Sequence, residues 1–139
     1  MEELKNPPDE QIREILAQSI TIAVVGLSTN PSRSSHGVAN YLKSKSYRII
    51  PVNPRYPEVL GEKSYPALSD IPEKVDIVDI FRRPEHIPPV VDEAIKIKAK
   101  VIWMQSGIVN HQAAQKAKEA GLVVVMDRCL AVAHSTLMC

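Results

Sequence analysis

The sequence predicts an α/β fold: a single doubly wound, Rossmann-like domain spanning residues 1–139, with residues 1–8 as an N-terminal extension. Two observations lead to this prediction. Short apolar stretches rich in β-branched residues alternate with segments of helical periodicity along almost the whole chain. These stretches lack the polar–apolar alternation of a half-exposed strand, so we expect a five-stranded parallel sheet with helices on both faces.

The predicted strands are largely apolar and end at turn-forming or charged residues. The first of them runs without interruption into Gly26. The second holds Pro51, and because proline fixes its φ angle and lacks an N–H, we expect this strand to end close to it. The five predicted strands are 19–25, 47–52, 75–81, 100–104 and 122–126.

Helical spacing of apolar residues occupies the segments around the strands. Asp9 is expected to cap the first helix and Asn110 the fourth, which Gly121 closes as a residue that readily adopts positive φ. The stretch 53–73 holds four prolines and is expected to be mostly loop, with room for one turn of helix. The predicted helices are 9–18, 38–45, 90–97, 110–120 and 130–139.

We expect the strand order 3-2-1-4-5, as in dinucleotide-binding folds. The flavodoxin-like order 2-1-3-4-5 stays open, because both orders bury strands of the same apolar pattern. In either order, ligands bind outside the carboxyl ends of the strands, near the point where the chain reverses its direction across the sheet.

Composition and charge exclude several classes of protein. Seventeen Lys and Arg residues against sixteen Asp and Glu give a formal net charge of +1, without the basic excess that nucleic-acid binding uses. No apolar run approaches the ~20 residues that span a bilayer, and the charged N-terminus is unlike a signal peptide. Two cysteines make neither a disulfide framework nor, with scattered histidines, a metal site. We expect a cytoplasmic protein that binds neither nucleic acid nor membrane.

The chain has five glycines and eleven prolines, which limits how it holds a nucleotide. The dinucleotide motif G-x-G-x-x-G needs three glycines within six residues, and the P-loop motif needs two followed by lysine. No two glycines of this chain are close neighbours. A bound nucleotide would therefore be held by a loop of another kind.

Arginine is concentrated at the carboxyl edge of the predicted sheet. The loops at that edge are 26–34, 53–58, 81–86, 105–110 and 127–130. Five of the seven arginines fall in them, with only three acidic residues. Guanidinium groups bind phosphate oxygens through paired hydrogen bonds, so the pattern predicts a phosphate-binding edge; the alternative is that these arginines are simply solvated. The five are Arg33, Arg55, Arg82, Arg83 and Arg128.

The loop after the first strand combines several anion-binding groups. Its backbone N–H groups and the N-terminus of the following helix favour negative charge, and its hydroxyl and guanidinium groups add donors. The alternative is an ordinary connecting loop in which Ser34 or Ser35 caps the helix. The candidate binding residues of this loop are Gly26, Ser28, Thr29, Asn30, Arg33 and Ser35.

The second strand ends in Val52, Asn53, Pro54 and Arg55, and all four are candidate binding residues. Folds that bind NAD place an acidic residue near this point to bond the ribose 2′-OH, whereas this chain has Asn53 there. The neighbouring Arg55 is compatible with NADP or with another ligand that carries an additional ribose phosphate.

Five short motifs occur in order along the chain. They are Gly26-x-Ser28, Pro51-Val-Asn-Pro54, Asp79-x-Phe81-Arg82, Gln105-x-Gly107 and Asp127-Arg128-Cys129. Together they resemble the small bacterial and archaeal CoA-binding proteins of the YccU-like kind, over residues 10–135. The fold of that family is similar to the CoA-binding N-terminal domain of the succinyl-CoA synthetase α subunit.

The resemblance implies that the protein binds coenzyme A or an acyl-CoA. In the synthetase a Gly-x-Thr-Gly turn holds the CoA phosphates, and residues 26–29 stand in its place. In the synthetase a lysine after the second strand approaches the nucleotide, and Arg55 lies near the matching point of this chain. A Thr-Glu-Gly-Ile segment of the synthetase corresponds to residues 105–108 here, with glutamine in place of the glutamate. The further site residues, from the motifs and the edge loops, are Phe81, Arg82, Gln105, Ser106, Gly107, Arg128 and Cys129.

Two of these residues have alternative roles. Phe81 would line an apolar slot for the adenine or pack in the core beneath a helix. Cys129 would form a mixed disulfide with CoA, aided by the cation of Arg128, or serve as a small buried apolar residue. A dyad of Cys129 with His134 is not favoured, and by spacing no histidine has a carboxylate partner, so no catalytic residue is predicted.

The expected function is a CoA- or acyl-CoA-binding module without catalysis of its own. One alternative is an NADP-linked oxidoreductase or redox-sensing Rossmann protein. Another is a CoA-dependent transferase that uses Cys129. A homodimer or an unidentified protein partner also stays open.

Overall fold

The computed structural model describes residues 5–138. In chain order its strands are β1 (Thr21–Val25), β2 (Arg48–Val52), β3 (Glu58–Val59), β4 (Glu62–Lys63), β5 (Ile77–Ile80), β6 (Val101–Met104) and β7 (Val123–Val125). Its α-helices are α1 (Asp9–Gln18), α2 (Ser34–Ser44), α3 (Ile87–Lys96), α4 (His111–Glu119) and α5 (Leu130–Leu137). Residues 1–4 of the predicted N-terminal extension, and Cys139 of the last predicted helix, lie outside the described residues.

Five strands form one parallel sheet in the order β2-β1-β5-β6-β7. The predicted α/β, Rossmann-like class is therefore confirmed. The preferred strand order 3-2-1-4-5 is wrong, and the flavodoxin-like order 2-1-3-4-5 is the one observed, because the third parallel strand, β5, pairs with β1 rather than with β2. The chain thus reverses across the sheet between β1 and β5, which we call the switch point.

Pro51 explains why β2 lies at the edge of the sheet. The Pro51 C=O accepts from the Tyr65 N–H at 3.0 Å, on the side of β2 that faces away from β1. The N and C=O of one strand residue point to the same side, so the missing N–H of proline faces outward too. Among residues 5–138, a single β-bridge, Val52 with Tyr65, forms on that side. Proline is tolerated in such an edge strand, whereas the order 3-2-1-4-5 would have placed it between two full strands.

Asp76 holds the start of β5 beside β1. Its Oδ2 accepts from the Ile20 N–H at 2.8 Å and from the Thr21 N–H at 3.0 Å. Partial burial by itself would raise the pKa of this carboxyl, but the two hydrogen bonds and the charges of Lys100 and Lys74 lower the pKa below its usual value. The carboxylate therefore stays ionised and keeps β5 next to β1.

Helices cover both faces of the sheet, as predicted. On one face, Ile80 and Met104 belong to an apolar cluster with buried residues of α3 and α4. On the other face, Val24 and Trp103 belong to a cluster with buried residues of α1, α2 and α5. Trp103 is fully buried and donates its Nε1–H to the Arg128 C=O at 2.7 Å, which ties the end of β7 to β6.

The helix ends confirm two predictions and contradict a third. Asn110 caps α4, because its Oδ1 accepts a first-turn N–H at 3.0 Å, and Gly121 follows that helix at a φ of 93°. Asp9 does not cap α1. It is the first helical residue, Pro8 occupies the capping position, and the Asp9 carboxylate instead binds the Arg128 guanidinium at 2.9 Å.

The proline-rich stretch contains an antiparallel hairpin, β3–β4, that was not predicted. Its 3-10 turn at Leu68–Asp70 corresponds to the single turn of helix expected there. Two-residue strands are too short to show a periodic pattern, which is why the sequence did not reveal them. Within the described part of the chain, no helix is long and apolar enough to cross a membrane.

Candidate functional site

A cleft of about 670 Å³ opens at the carboxyl ends of β1, β2 and β5. It includes the switch point, where folds of this kind bind ligands. Its volume is in the range of small-molecule sites. We call it the arginine cleft, and the residues that line it are Gly26, Ser28, Arg33, Ser34, Ser35, Asn53, Pro54, Arg55, Tyr56, Phe81, Arg82, Arg83 and His86.

Gly26 forms the floor of the arginine cleft, where β1 ends. Its φ is 87°, and a Cβ at this position would lie 2.5 Å from the Phe81 carbonyl oxygen. Its N–H donates to the Val52 C=O at 2.8 Å. Glycine therefore lets three strand ends approach one another and leaves bare backbone at the cleft. Phe81 both lines the cleft and packs against the apolar cluster of α1, α2 and α5.

The loop between β1 and α2 is held by its own hydroxyl groups. The Ser35 Oγ accepts from the Ser28 N–H at 3.1 Å, and the Ser28 Oγ accepts from the Asn30 N–H at 3.0 Å. Neither Ser34 nor Ser35 caps α2, which begins at Ser34 without a side-chain cap. Among the residues that the structure describes, the N–H groups of Ser34 and Ser35 have no acceptor. An anion in the cleft would meet these two donors and the positive end of α2.

Four arginines line the cleft from three loops: Arg33 before α2, Arg55 after β2, and Arg82 and Arg83 after β5. Within residues 5–138, none of their guanidinium groups forms an ion pair or hydrogen bond, and no Asp or Glu lines the cleft. The other three arginines each bond to a carboxylate or a C=O; they are Arg13, Arg48 and Arg128. Four uncompensated positive charges therefore face one space, an arrangement that an anionic ligand would stabilise.

Asn53 links the loop after β2 to the loop after β1. It is buried, its Nδ2–H donates to the Leu27 C=O at 3.1 Å, and its Oδ1 accepts from the Arg55 N–H at 3.0 Å. Its own N–H donates to the Tyr65 C=O at 2.9 Å, and its C=O accepts from the Ser64 hydroxyl at 3.2 Å. Although Asn53 lines the cleft, its polar groups are used to position the backbone that carries Arg55.

The candidate residues after β6 and β7 lie apart from the cleft. Gln105 is buried, and its Oε1 accepts from the Leu130 N–H at 2.9 Å. The Asp127 Oδ1 accepts from the Gly107 N–H at 2.6 Å. The candidates that do not line the cleft are Thr29, Asn30, Val52, Gln105, Ser106, Gly107, Arg128 and Cys129. The structure therefore brings together nine of the seventeen candidate residues and leaves eight outside.

Two residues near the N-terminus, Asn6 and Asp9, form hydrogen bonds with residues that follow β7. Arg128 binds Asp9, as described above, and Asn6 forms two hydrogen bonds with the backbone of Met126, at 2.8 Å to its C=O and 2.7 Å from its N–H. Part of the predicted N-terminal extension is thus bound against the end of β7. The contact with Asp9 engages the Arg128 guanidinium, which was a candidate for ligand binding.

Cys129 and His134 do not form a pair. Cys129 is half-buried just before α5 and packs against an apolar cluster. The His134 Nδ1 lies 2.9 Å from the Tyr41 hydroxyl, beside a second cavity of about 210 Å³ between α2 and α5. Burial and the charge of Lys45 lower the pKa of His134. Within residues 5–138, no group of three or more ligating side chains could hold a metal ion.

Asp79 is a buried carboxyl without a partner. It lies on β5 at the same register as Val24 and Trp103, with a relative exposure of 0%. Neither of its oxygens has a hydrogen-bond partner in the described part of the chain. Burial raises the pKa of Asp79 well above its usual value, because the interior destabilises the carboxylate relative to the neutral acid.

Some residues of the cleft were not predicted from the sequence. Ser34, Tyr56 and His86 were not among the candidate residues, and Arg83 was counted only among the edge arginines. Each of these four directly adjoins a candidate or lies in one of the predicted edge loops. The signal was therefore present in the loop assignment, but composition did not show which side chains of a loop face the cleft.

Known proteins share this architecture. A family model described as a CoA binding domain matches residues 20–135. The chain is 46% identical to an uncharacterized protein, YneT, of Bacillus subtilis over 132 residues, which cover 95% of this chain and 98% of YneT. It is similar in structure to a hypothetical protein from Pyrococcus horikoshii OT3, with a TM-score of 0.94, 44% identity and all of both chains covered.

A larger protein contains a similar part. The dinucleotide forming acetyl-coenzyme A synthetase 1 of Ca. Korarchaeum cryptofilum matches with a TM-score of 0.70 and 30% identity. The match covers 77% of this chain and 26% of that chain. This chain therefore corresponds to about a quarter of the synthetase chain.

Proposed function

The chain belongs to the family of CoA binding domains, and we propose that it binds coenzyme A, or an acyl-CoA, in the arginine cleft. It acts as a binding module without catalysis of its own, in the cytoplasm. The observation that carries the proposal is the set of four arginines that face one cleft without a partner in the described part of the chain.

The charge of the ligand matches the charge of the cleft. CoA carries a diphosphate and a separate phosphate on the ribose, and a phosphate monoester has a charge of roughly −1.5 to −2 at neutral pH. Guanidinium groups bind such oxygens through two parallel hydrogen bonds. Because no carboxylate lines the cleft, phosphate binding there requires no guanidinium to leave an acidic partner.

The diphosphate is proposed to bind at the loop between β1 and α2. The Ser34 and Ser35 N–H groups are unpartnered among the described residues, and Arg33 stands beside them. A helix N-terminus with free N–H groups and a cation is a favourable place for phosphate oxygens. The rings of Tyr56 and Phe81, which also line the cleft, offer apolar surface for the adenine.

Isothermal titration tests the proposal directly. CoA is expected to bind to the wild-type protein more tightly than NADP or NAD at the same salt concentration. Arg33→Ala is expected to weaken CoA binding by about 1.5–3 kcal/mol, as for hydrogen bonds to charged groups. Lys118→Ala, which removes an exposed charge from α4, serves as the matched control and leaves the affinity unchanged.

Two results would contradict the proposal. Tighter binding of NADP than of CoA would show that the ligand is different. An unchanged CoA affinity in Arg33→Ala would show that the phosphates bind elsewhere. Both measurements are made at fixed ionic strength, because contacts between phosphate and cations weaken as salt screens them.

A further inference from the structure

We propose that Arg55 makes the arginine cleft selective for ligands that carry a phosphate monoester on the ribose, over the same ligands without it. The inference rests on the proposed function and adds a specificity-determining residue to it. Two observations carry it: the number of unpartnered cations in the cleft, and the way in which Asn53 presents Arg55.

The number of cations exceeds what a diphosphate alone would neutralise. Four guanidinium groups line the cleft, and within residues 5–138 none has an acceptor. A diphosphate bridge carries about two negative charges, whereas an additional phosphate monoester contributes roughly 1.5 to 2 more. A ligand with both groups therefore balances the cleft, and a ligand without the monoester leaves about two cations unpaired.

Arg55 is the cation that the fold separates from the diphosphate position. Arg33 lies at the N-terminus of α2, whereas Arg55 follows β2, the edge strand on one side of β1. In doubly wound folds the residues after the second strand face the ribose of a bound nucleotide, and an arginine there accommodates a ribose phosphate. Arg82 and Arg83 follow β5, on the other side of β1.

Asn53 fixes the backbone that carries Arg55. Its Oδ1 accepts from the Arg55 N–H at 3.0 Å, and its Nδ2–H donates to the Leu27 C=O at 3.1 Å. Because position 53 holds an amide and not a carboxylate, the end of β2 has no acid there that would bond a free ribose hydroxyl and repel a phosphate. The nearest acid in sequence, Glu58, is in the hairpin strand β3 opposite Lys63 and does not line the cleft. The Arg55 guanidinium remains free for a ligand.

The experiment compares CoA with dephospho-CoA, which lacks only the ribose phosphate, by isothermal titration at fixed salt. The wild-type protein is expected to bind CoA about tenfold or more tightly than dephospho-CoA, the range of a charge-assisted hydrogen bond. In Arg55→Gln the ratio of the affinities for CoA and dephospho-CoA is expected to fall close to one, chiefly because CoA binds more weakly. Arg55→Lys, which keeps the charge but loses the paired donors, retains part of the ratio.

Two control variants separate this role from a general loss of charge. Arg33→Gln is expected to weaken the binding of both ligands by a similar factor and to preserve the ratio of their affinities. Lys118→Gln removes one exposed charge from α4 and is expected to change neither affinity. Arg55 is exposed and its guanidinium has no partner in residues 5–138, so the variants keep the wild-type thermal melt, which is measured alongside.

The outcomes distinguish this inference from the proposed function. Equal wild-type affinity for CoA and dephospho-CoA overturns the inference and leaves CoA binding in place. If Arg55→Gln still binds CoA more tightly than dephospho-CoA by the wild-type factor, the inference is also overturned, and the ribose phosphate binds at another side of the cleft. If neither ligand binds to the wild-type protein, the proposed function fails and the inference fails with it.

Discussion

The carboxyl edge of the sheet has two halves that use polar side chains in opposite ways. After β6 and β7 the polar side chains form hydrogen bonds within the protein, and we call this part the tied half. Its hydrogen bonds join Gln105 to Leu130, Asp127 to Gly107 and Arg128 to Asp9. In the arginine cleft, after β1, β2 and β5, four guanidinium groups have no partner among the described residues.

The difference shows that position in the chain does not decide whether a cation is available. Arg33 and Arg128 both follow a parallel strand and both precede a helix. The start of α1 brings Asp9 to Arg128, and no acid reaches Arg33. Keeping like charges together without partners costs stability, and proteins tolerate such conflicts mainly at functional sites. The arginine cleft is the half that fits this description.

A glycine from each half is compared first, because Gly→Ala substitution is expected to lower the free energy of unfolding far more in the arginine cleft than in the tied half. Gly26→Ala is expected to lower the free energy of unfolding by about 3 kcal/mol or more, because positive φ strain adds to a contact with the Phe81 carbonyl oxygen. Gly107 in the tied half also has a positive φ, 79°, but nothing lies within 4 Å of its Cβ position. Gly107→Ala is expected to cost only about 1–2 kcal/mol. If urea denaturation gave equal losses of unfolding free energy for the two variants, this prediction would be contradicted.

The next effect tests which arginines are available to a ligand. Changing both Arg82 and Arg83 to Gln is expected to weaken CoA binding by about 2–3 kcal/mol, since both face the cleft unpaired. Arg128→Gln is expected to change the affinity less than about twofold and to lower the free energy of unfolding by less than about 1 kcal/mol, because its pair with Asp9 is partly exposed. Titration and denaturation of both variants check this. A greater loss of affinity in Arg128→Gln would reverse the assignment of the two halves.

The smallest effect concerns β5, where the two halves meet. Because burial raises the folded-state pKa of Asp79, its neutral form supports stability at low pH, and that contribution is lost as pH rises through the folded pKa. Asp79→Asn removes this dependence, so its stability relative to wild type should increase as the pH rises from 5 to 8. Denaturant unfolding at pH 5 and pH 8 measures the difference.

Asp76, three residues earlier, provides a control of opposite sign. Its pKa is lowered in the fold, so the ionised form supports stability above the unfolded-state pKa, and this is lost as pH falls through the folded pKa. Asp76→Asn should therefore be less stable than wild type at neutral pH, with a deficit that shrinks in acid. If Asp79→Asn showed the same pH slope as wild type, the carboxyl of Asp79 would not be the titrating group.

Local patterns account for the parts of the fold that the sequence predicted. The five parallel strands and five α-helices were recognised because apolar spacing reports on a few neighbouring residues at a time. The Asn110 cap and Gly121 are local in the same sense. Asp9 was misassigned because its partner, Arg128, is far away in sequence and only the fold brings the two together.

The fold class, the set of edge loops and the concentration of arginine in them follow from the sequence alone, since each depends on residue types and their spacing. The sequence also contains one overlooked indicator of strand order, Pro51, whose missing N–H favours an edge position. Which loops share a cleft depends on the three-dimensional arrangement, because strand order places the end of β5 beside β1 and moves the ends of β6 and β7 away. Which cations are free depends on it too, because neutralisation needs acids and C=O groups that come from distant parts of the chain.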